Sequence, residues 1–284
     1  MANKVAIVTD STATIPEKWI KKYGIKFAAS LVLWDGEELR DGIDITPDKF
    51  FIRLANSSTI PTSSQPSPAD FKSIYEKLIK KGYDILSIHL SPKLSGTMAS
   101  AEQAKQMLPK ANIEIVNTWS VSMGEGWPIL MAAEAAKAGK TLAECKKIAE
   151  DAVAHTGIYL TVNTLEFLHR GGRIGGAARL LGSALRLKPI LTVAGGQIEP
   201  VEKIRTRKKA LKRLVAVVGE EIKGKENIHV AALHANALED AEQVMEMVKK
   251  EYDVTESLIA AVAPTIGTHT GPGTIGLAYM AGYK

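Results

Sequence analysis

A chain of 284 residues with 45% hydrophobic and 24% charged residues has the make-up of a globular protein with a large core, and two domains fit this length better than one. Its net charge of +5 suits an anionic small molecule or an acidic protein face and falls short of what a nucleic-acid binder needs. The single cysteine, Cys145, excludes an internal disulfide and a cysteine-built zinc site, and it fits a reducing cytoplasm.

Val5 to Thr9 is a continuous apolar run closed by Asp10-Ser11, the pattern of a buried parallel strand. Only Met-Ala-Asn-Lys precedes it, too little for a secretory signal, and no later run approaches membrane-spanning length. Pro16 opens a short helix that stops before Gly24, and Phe27 to Trp34 reads as a second strand followed by turns at Asp35-Gly36 and Asp41-Gly42. Thr46-Pro47 starts a helix carrying Phe50, Phe51 and Leu54. The acidic residues around it, Asp41 among them, lack the spacing of a calcium loop and read as a solvated rim.

Ser57 to Pro68 is a polar, proline-punctuated loop, after which Ser67, Pro68 and Asp70 fit the first positions of a capped helix ending at Gly82. A strand at Ile85 to Leu90 leads through Ser-Pro-Lys-Leu-Ser-Gly-Thr, residues 91–97, into a helix that runs to Met107. Two hydroxyls and free backbone N–H groups at that junction, at the positive end of a helix dipole, favour an anion; an ordinary helix cap would look the same. A strand at Ile113 to Val116, a small-residue loop from Asn117 to Gly126, an alanine-rich helix opened by Pro128 and a helix capped by Thr141 and Glu144 follow. The methionine and alanine residues of 123–135 read as close helix packing.

Beyond His155-Thr-Gly157 come a strand to Val162, a short helix at Thr164 to His169 and the glycine-dense basic loop Arg170 to Gly176. A helix over Ala177 to Leu187, a hairpin turning at Ala194-Gly-Gly196 and a basic stretch (Lys203, Arg205, Arg207, Lys208, Lys209, Lys212, Arg213) that opens a helix are next. Strand, helix and strand over 228–262 lead to Thr265 to Gly273, read as a tight loop before a final helical turn. The rhythm predicts an α/β fold in two domains, 1–156 with a mostly parallel sheet and flanking helices and 157–284 as a second α/β domain. Ligand loops gather at the carboxyl ends of the strands.

Several chemistries lack their motifs. No G-x-G-x-x-G is present, Gly139-Lys140-Thr141 has Glu134 where a phosphate loop needs its first glycine, and the six histidines show no metal spacing. Lys93 and Thr97 occupy the glycine positions of a nucleophile elbow around Ser95, although a serine working with His269 as base stays open. His89 lies in an apolar strand and reads as a satisfied structural histidine.

Four loops taken together, Thr62-Ser-Ser-Gln-Pro-Ser-Pro68, Leu94-Ser-Gly-Thr97, Leu165 to Ile174 and Gly267-Thr-His-Thr-Gly-Pro-Gly273, resemble the DegV family of bacterial fatty-acid-binding proteins. Asp10-Ser11 and Ser120 to Gly126 fit the same pattern, and the resemblance spans nearly the whole chain in order. It implies a long-chain fatty acid held between the two domains and offered to a separate fatty acid kinase for acyl phosphate formation. No catalytic step of the chain's own, no cofactor, no metal, no nucleic acid and no stable membrane insertion are implied. Matched position by position, Ser63, Ser95, Thr62 and Gly96 would hold the carboxylate, with Arg173 and His269 as basic partners and Arg205 at the kinase contact. Ser63 stands where the family usually has threonine, and Asn117 where an aspartate is common. The alternative from another class is a serine-dependent acyl hydrolase or a small-anion phosphotransferase.

Overall fold

The computed structural model describes residues 4–182 and 187–284; Met1 to Asn3, and the middle of the helix expected over Ala177 to Leu187, lie outside this range. Numbered along the chain, four parallel strands make the first sheet: β1 (Lys4–Asp10), β2 (Lys26–Ala28), β6 (Tyr83–His89) and β7 (Ile113–Asn117), in the order β2-β1-β6-β7. Helices α1 (Glu17–Tyr23), α3 (Pro68–Ile79), α4 (Thr97–Gln106), α5 (Met123–Lys137) and α6 (Leu142–Val153) belong to this half. Between them a small antiparallel sheet, β4-β3-β5, is built from β3 (Leu31–Trp34), β4 (Glu37–Arg40) and β5 (Thr62–Ser64), with α2 (Pro47–Ala55) beside it.

The second half is a six-stranded sheet in the order β10-β9-β8-β13-β11-β12. Its strands are β8 (Thr156–Thr161), β9 (Ile190–Ala194), β10 (Gln197–Glu202), β11 (His229–His234), β12 (Glu256–Ala261) and β13 (Ile275–Met280). Only β11 and β12 run parallel; the other neighbours are antiparallel. Helices α7 (Glu166–Arg170), α8 (Arg207–Ile222), α9 (Leu238–Glu251) and α10 (Pro264–Thr270) complete it.

Local chemistry sets most of these boundaries. Ser67 and Thr141 each accept the N3 amide while Asp70 and Glu144 return the bond, so α3 and α6 start with reciprocal capping boxes. Gly24 closes α1 at φ 67°, a left-handed conformation for which glycine carries no Cβ penalty.

Other expectations are corrected. Phe27 to Trp34 is two strands in two sheets. The chain leaves the first sheet at Ser30, whose amide donates to Ser11 Oγ (3.1 Å) and whose carbonyl accepts from Asp41 N (2.8 Å). The polar loop before Ser67 contains β5, which pairs with β3 through Ser63 opposite Val32. Helix α5 starts at Met123 and holds Pro128 inside it, because Ser122 O already takes the amides of Glu125 (2.9 Å) and Gly126 (2.8 Å). After the basic glycine loop the chain forms a 3-10 stretch at Gly175–Leu180 in place of the start of an α-helix. The final helical turn is instead β13, an interior strand buried at every position, so it shows no alternation that would mark it as a strand. Asp41, expected on a solvated rim, is 1% exposed.

Helix α5 organises the core. It is buried on nearly every side, and the largest apolar cluster joins Val5 and Leu86 of the first sheet, Trp127 and Leu130 of α5, and Leu233 and Ala278 of the second. Trp127 meets Trp19 at 5.9 Å between ring centroids and His229 at 5.2 Å, one partner from each half.

Candidate functional site

Four chain segments converge where the two halves meet. The carboxyl end of β6 runs into the 91–97 loop, and Gly96 occupies the N-cap of α4 with Ser95 just outside it. Ser95 Oγ lies 2.8 Å from Thr97 Oγ1 and accepts from Thr97 N at 3.3 Å, so the hydroxyl is held at the helix start. Strand β5 carries Ser63 in from the small sheet, α10 carries His269, and the turn after α7 carries Arg173. Together with Leu90, Leu94, Leu168, Ile198 and Ile266 they line a partly open cavity. Its exposed wall is mainly aliphatic.

Ser63 Oγ and His269 Nε2 are 2.7 Å apart, although 206 residues separate them in the chain. Arg173 donates from Nε to Leu94 O (3.0 Å) and from Nη1 to Gly171 O (2.7 Å), so it makes these bonds with backbone carbonyls of both halves. Burial, and then the positive charge of Arg173, push the His269 imidazole down to about 4, so the ring is neutral near neutral pH. Its Nδ1 is buried without a hydrogen-bond partner among the described residues. A cation, a neutral imidazole and two hydroxyls beside aliphatic side chains in one cavity suit a small anionic group on an apolar body.

Ser63, Ser95, Arg173 and His269, all singled out from sequence, line this one cavity. Thr62 is exposed and stays outside the cavity that Ser63 and Ser64 line, and Gly96 stands back from the lining, where a β-carbon would approach Gln65 Nε2 to 3.0 Å. Arg205 is exposed and lies in the segment before α8, outside the cavity. Asn117 Oδ1 accepts from Trp119 N (2.8 Å), so that loop has a side-chain-to-backbone turn of its own.

Sequence reasoning missed a buried polar network next to the cavity. Asp10 accepts from Thr12 N (3.0 Å) and lies 3.0 Å from His89 Nδ1, whose Nε2 meets Ser87 Oγ at 2.7 Å. His89 is thus a satisfied core histidine, as its strand suggested. Glu125 accepts from Thr9 and Thr12 hydroxyls (3.3 Å each); burial first, then the charge of Asp10, hold its carboxyl well above the usual carboxylate range. A glutamate inside the apolar run of α5 was the available signal. The ligand atoms of Asp10, His89 and Glu125 fall within 4.8 Å of one another, but hydrogen bonds already engage all three side chains. Thr12, which joins both carboxyls, also lines the cavity.

Asp41 is a third buried carboxyl, besides Asp10 and Glu125. Its Oδ2 accepts from Thr265 N at 3.1 Å, tying the β4–α2 connection to α10. Burial pushes it up to about 7 from 3.8, outweighing hydrogen bonds from Thr265 and Ser11. The folded chain therefore keeps a proton that the unfolded chain has released, and stability falls as pH rises between these two values. Asp41→Asn keeps an acceptor for Thr265 and removes the ionisation. Thermal melts are expected to show a larger stabilisation at pH 8 than at pH 5, growing by roughly 1.4 kcal/mol per pH unit up to the folded pKa.

Comparison with known proteins bears on this architecture. The family model described as "Uncharacterised protein, DegV family" matches residues 4–282. The chain belongs to the DegV family. A DegV domain-containing protein of Clostridium perfringens is 36% identical over 279 residues, covering 97% of this chain and 98% of its own. Among solved structures, a DegV family protein from Thermus thermophilus, described for its fatty acid binding, superposes with a TM-score of 0.92 at 34% identity. That match covers 98% of this chain and 99% of the other. DegV of Bacillus subtilis, described as a fatty acid binding protein, gives 0.90 at 33% identity over 99% and 100%. Among the described residues no helix is long and apolar enough to cross a membrane.

Proposed function

We propose that this DegV chain binds one long-chain fatty acid in the cavity between its halves, with the carboxylate against Ser63, Ser95, Arg173 and His269. The observation that carries the reading is the cavity itself, a slot whose exposed wall is mainly aliphatic and whose lining includes a guanidinium, a neutral imidazole and the hydroxyls of Ser63 and Ser95. The fatty acid binding of the Thermus and Bacillus relatives supports the same ligand class. Burying about fifteen methylenes at roughly 0.8 kcal/mol each supplies on the order of 12 kcal/mol before ordering costs, so the chain sets affinity and the polar groups set orientation. Presentation of the carboxyl to a fatty acid kinase in the cytoplasm, with the exposed Arg205 in the contact, belongs to the same proposal.

A second reading draws on the 2.7 Å Ser63–His269 pair, which has the spacing of a nucleophile and its base. Two features oppose it. The Nδ1 atom has no carboxylate to orient the ring, and an imidazole held near 4 is a weak base at neutral pH. Native mass spectrometry of the purified chain is expected to find a stoichiometric long-chain fatty acid. Ser95→Ala is expected to weaken loading by about tenfold while acyl binding persists. A folded chain that carries and takes up no fatty acid contradicts the proposal, and ester hydrolysis abolished by a serine replacement supports the second reading.

A further inference from the structure

Gly171 touches both basic groups of the cavity. Its backbone is ordinary, with φ −75° and ψ −5° at the end of α7, so no left-handed conformation demands glycine there. Space does. A β-carbon at this position would overlap His269 Nδ1 far inside van der Waals contact and would stand 2.9 Å from Cε1 of the same ring. The carbonyl of the same residue accepts from Arg173 Nη1 at 2.7 Å. The ring has little room to retreat, because its other nitrogen is bonded to Ser63 Oγ.

We infer that Gly171 is a positioning residue for the head-group end of the cavity. Its missing side chain seats the His269 ring against Ser63, and its carbonyl anchors the Arg173 guanidinium. The inference rests on the fatty-acid reading for its consequence in binding, and on the geometry alone for the placement of the ring. Gly171→Ala preserves the carbonyl and suits the backbone, so it moves the imidazole while leaving the arginine anchor in place. Carboxylate recognition suffers and acyl burial does not.

The test compares the delipidated wild-type chain, Gly171→Ala, His269→Ala and the double variant, with hexadecanoate and hexadecanol as probes. Gly171→Ala is expected to lower hexadecanoate affinity by about tenfold with hexadecanol unchanged. It is expected to add nothing in the His269→Ala background, where the obstructing ring is gone. Losses that multiply in the double variant, equal losses for acid and alcohol, or no loss for the acid each overturn the inference. The imidazole NMR signals of His269, identified by their absence in His269→Ala, are read without ligand and are expected to move in Gly171→Ala; unmoved signals also overturn it. A wild-type chain that binds acid and alcohol equally defeats the fatty-acid reading, while the ligand-free signals still decide the role of Gly171.

Discussion

Arg173→Met is expected to lower hexadecanoate affinity by about 100-fold, the loss typical of leaving a buried charge without its partner. Among the described residues Arg173 is the one Lys or Arg side chain lining the cavity, and methionine keeps much of its aliphatic stem. Hexadecanol, which has no charge to satisfy, is expected to bind within about threefold of wild type, since apolar burial dominates its affinity. The fold loses a little as well, because Leu94 O and Gly171 O each surrender a donor, at about 1 kcal/mol apiece. Isothermal titration with both probes, beside a thermal melt, separates these effects. If hexadecanoate binds the variant as tightly as it binds wild type, Arg173 does not neutralise the carboxylate.

Trp127→Ala is expected to have the largest effect on stability, about 3–5 kcal/mol, which corresponds to a drop of about 10 °C in melting temperature for a chain of this size. The ring is fully buried at the centre of α5 and packs on Trp19 of one half and His229 of the other. Its removal opens a cavity that two different sheets would have to move to fill. Because both halves lose contacts, unfolding is expected to stay a single transition by circular dichroism and by tryptophan fluorescence. Two separated transitions, with only one displaced, would show that the halves melt independently.

What the sequence made legible was local. The capping boxes at Ser67–Asp70 and Thr141–Glu144, the stop at Gly24 and the glycine hairpin at residues 194–196 each depend on side chains a few positions apart, and each is present. Elements whose identity depends on distant partners were misread. Strand β5 has three small polar residues and becomes a strand only through pairing with β3. Strand β13 is apolar on both faces because sheet neighbours and helices cover it, which leaves no period to read. Pro128 marks a helix start in most contexts, but here the carbonyl of Ser122 had already begun the helix.

The site divides in the same way. The resemblance singled out Ser63, Ser95, Arg173 and His269 one motif at a time, and the fold brings them to one cavity. Their relations were not legible: the Ser63–His269 bond, the neutral imidazole and the anchoring of Arg173 on carbonyls arise from packing of segments far apart in the chain. Thr62, the first residue of β5, is exposed and stays outside the cavity that Ser63 and Ser64 line. Asp41 looks like any surface acid in a list of charges, and only burial sets it apart.

A helix packed against both sheets and buried on nearly every side ties the two halves together. Parting the halves like jaws would bare Trp127, Leu130 and the strand faces against them, at about 25 cal/mol for every Å² of apolar surface exposed. Away from α5 the halves are also joined by individual polar bonds, such as the buried one from Ser91 Oγ to Gly196 O (2.7 Å) at the tip of the β9–β10 hairpin. Such a bond can break and reform without disturbing α5, so local opening there leaves the central architecture closed.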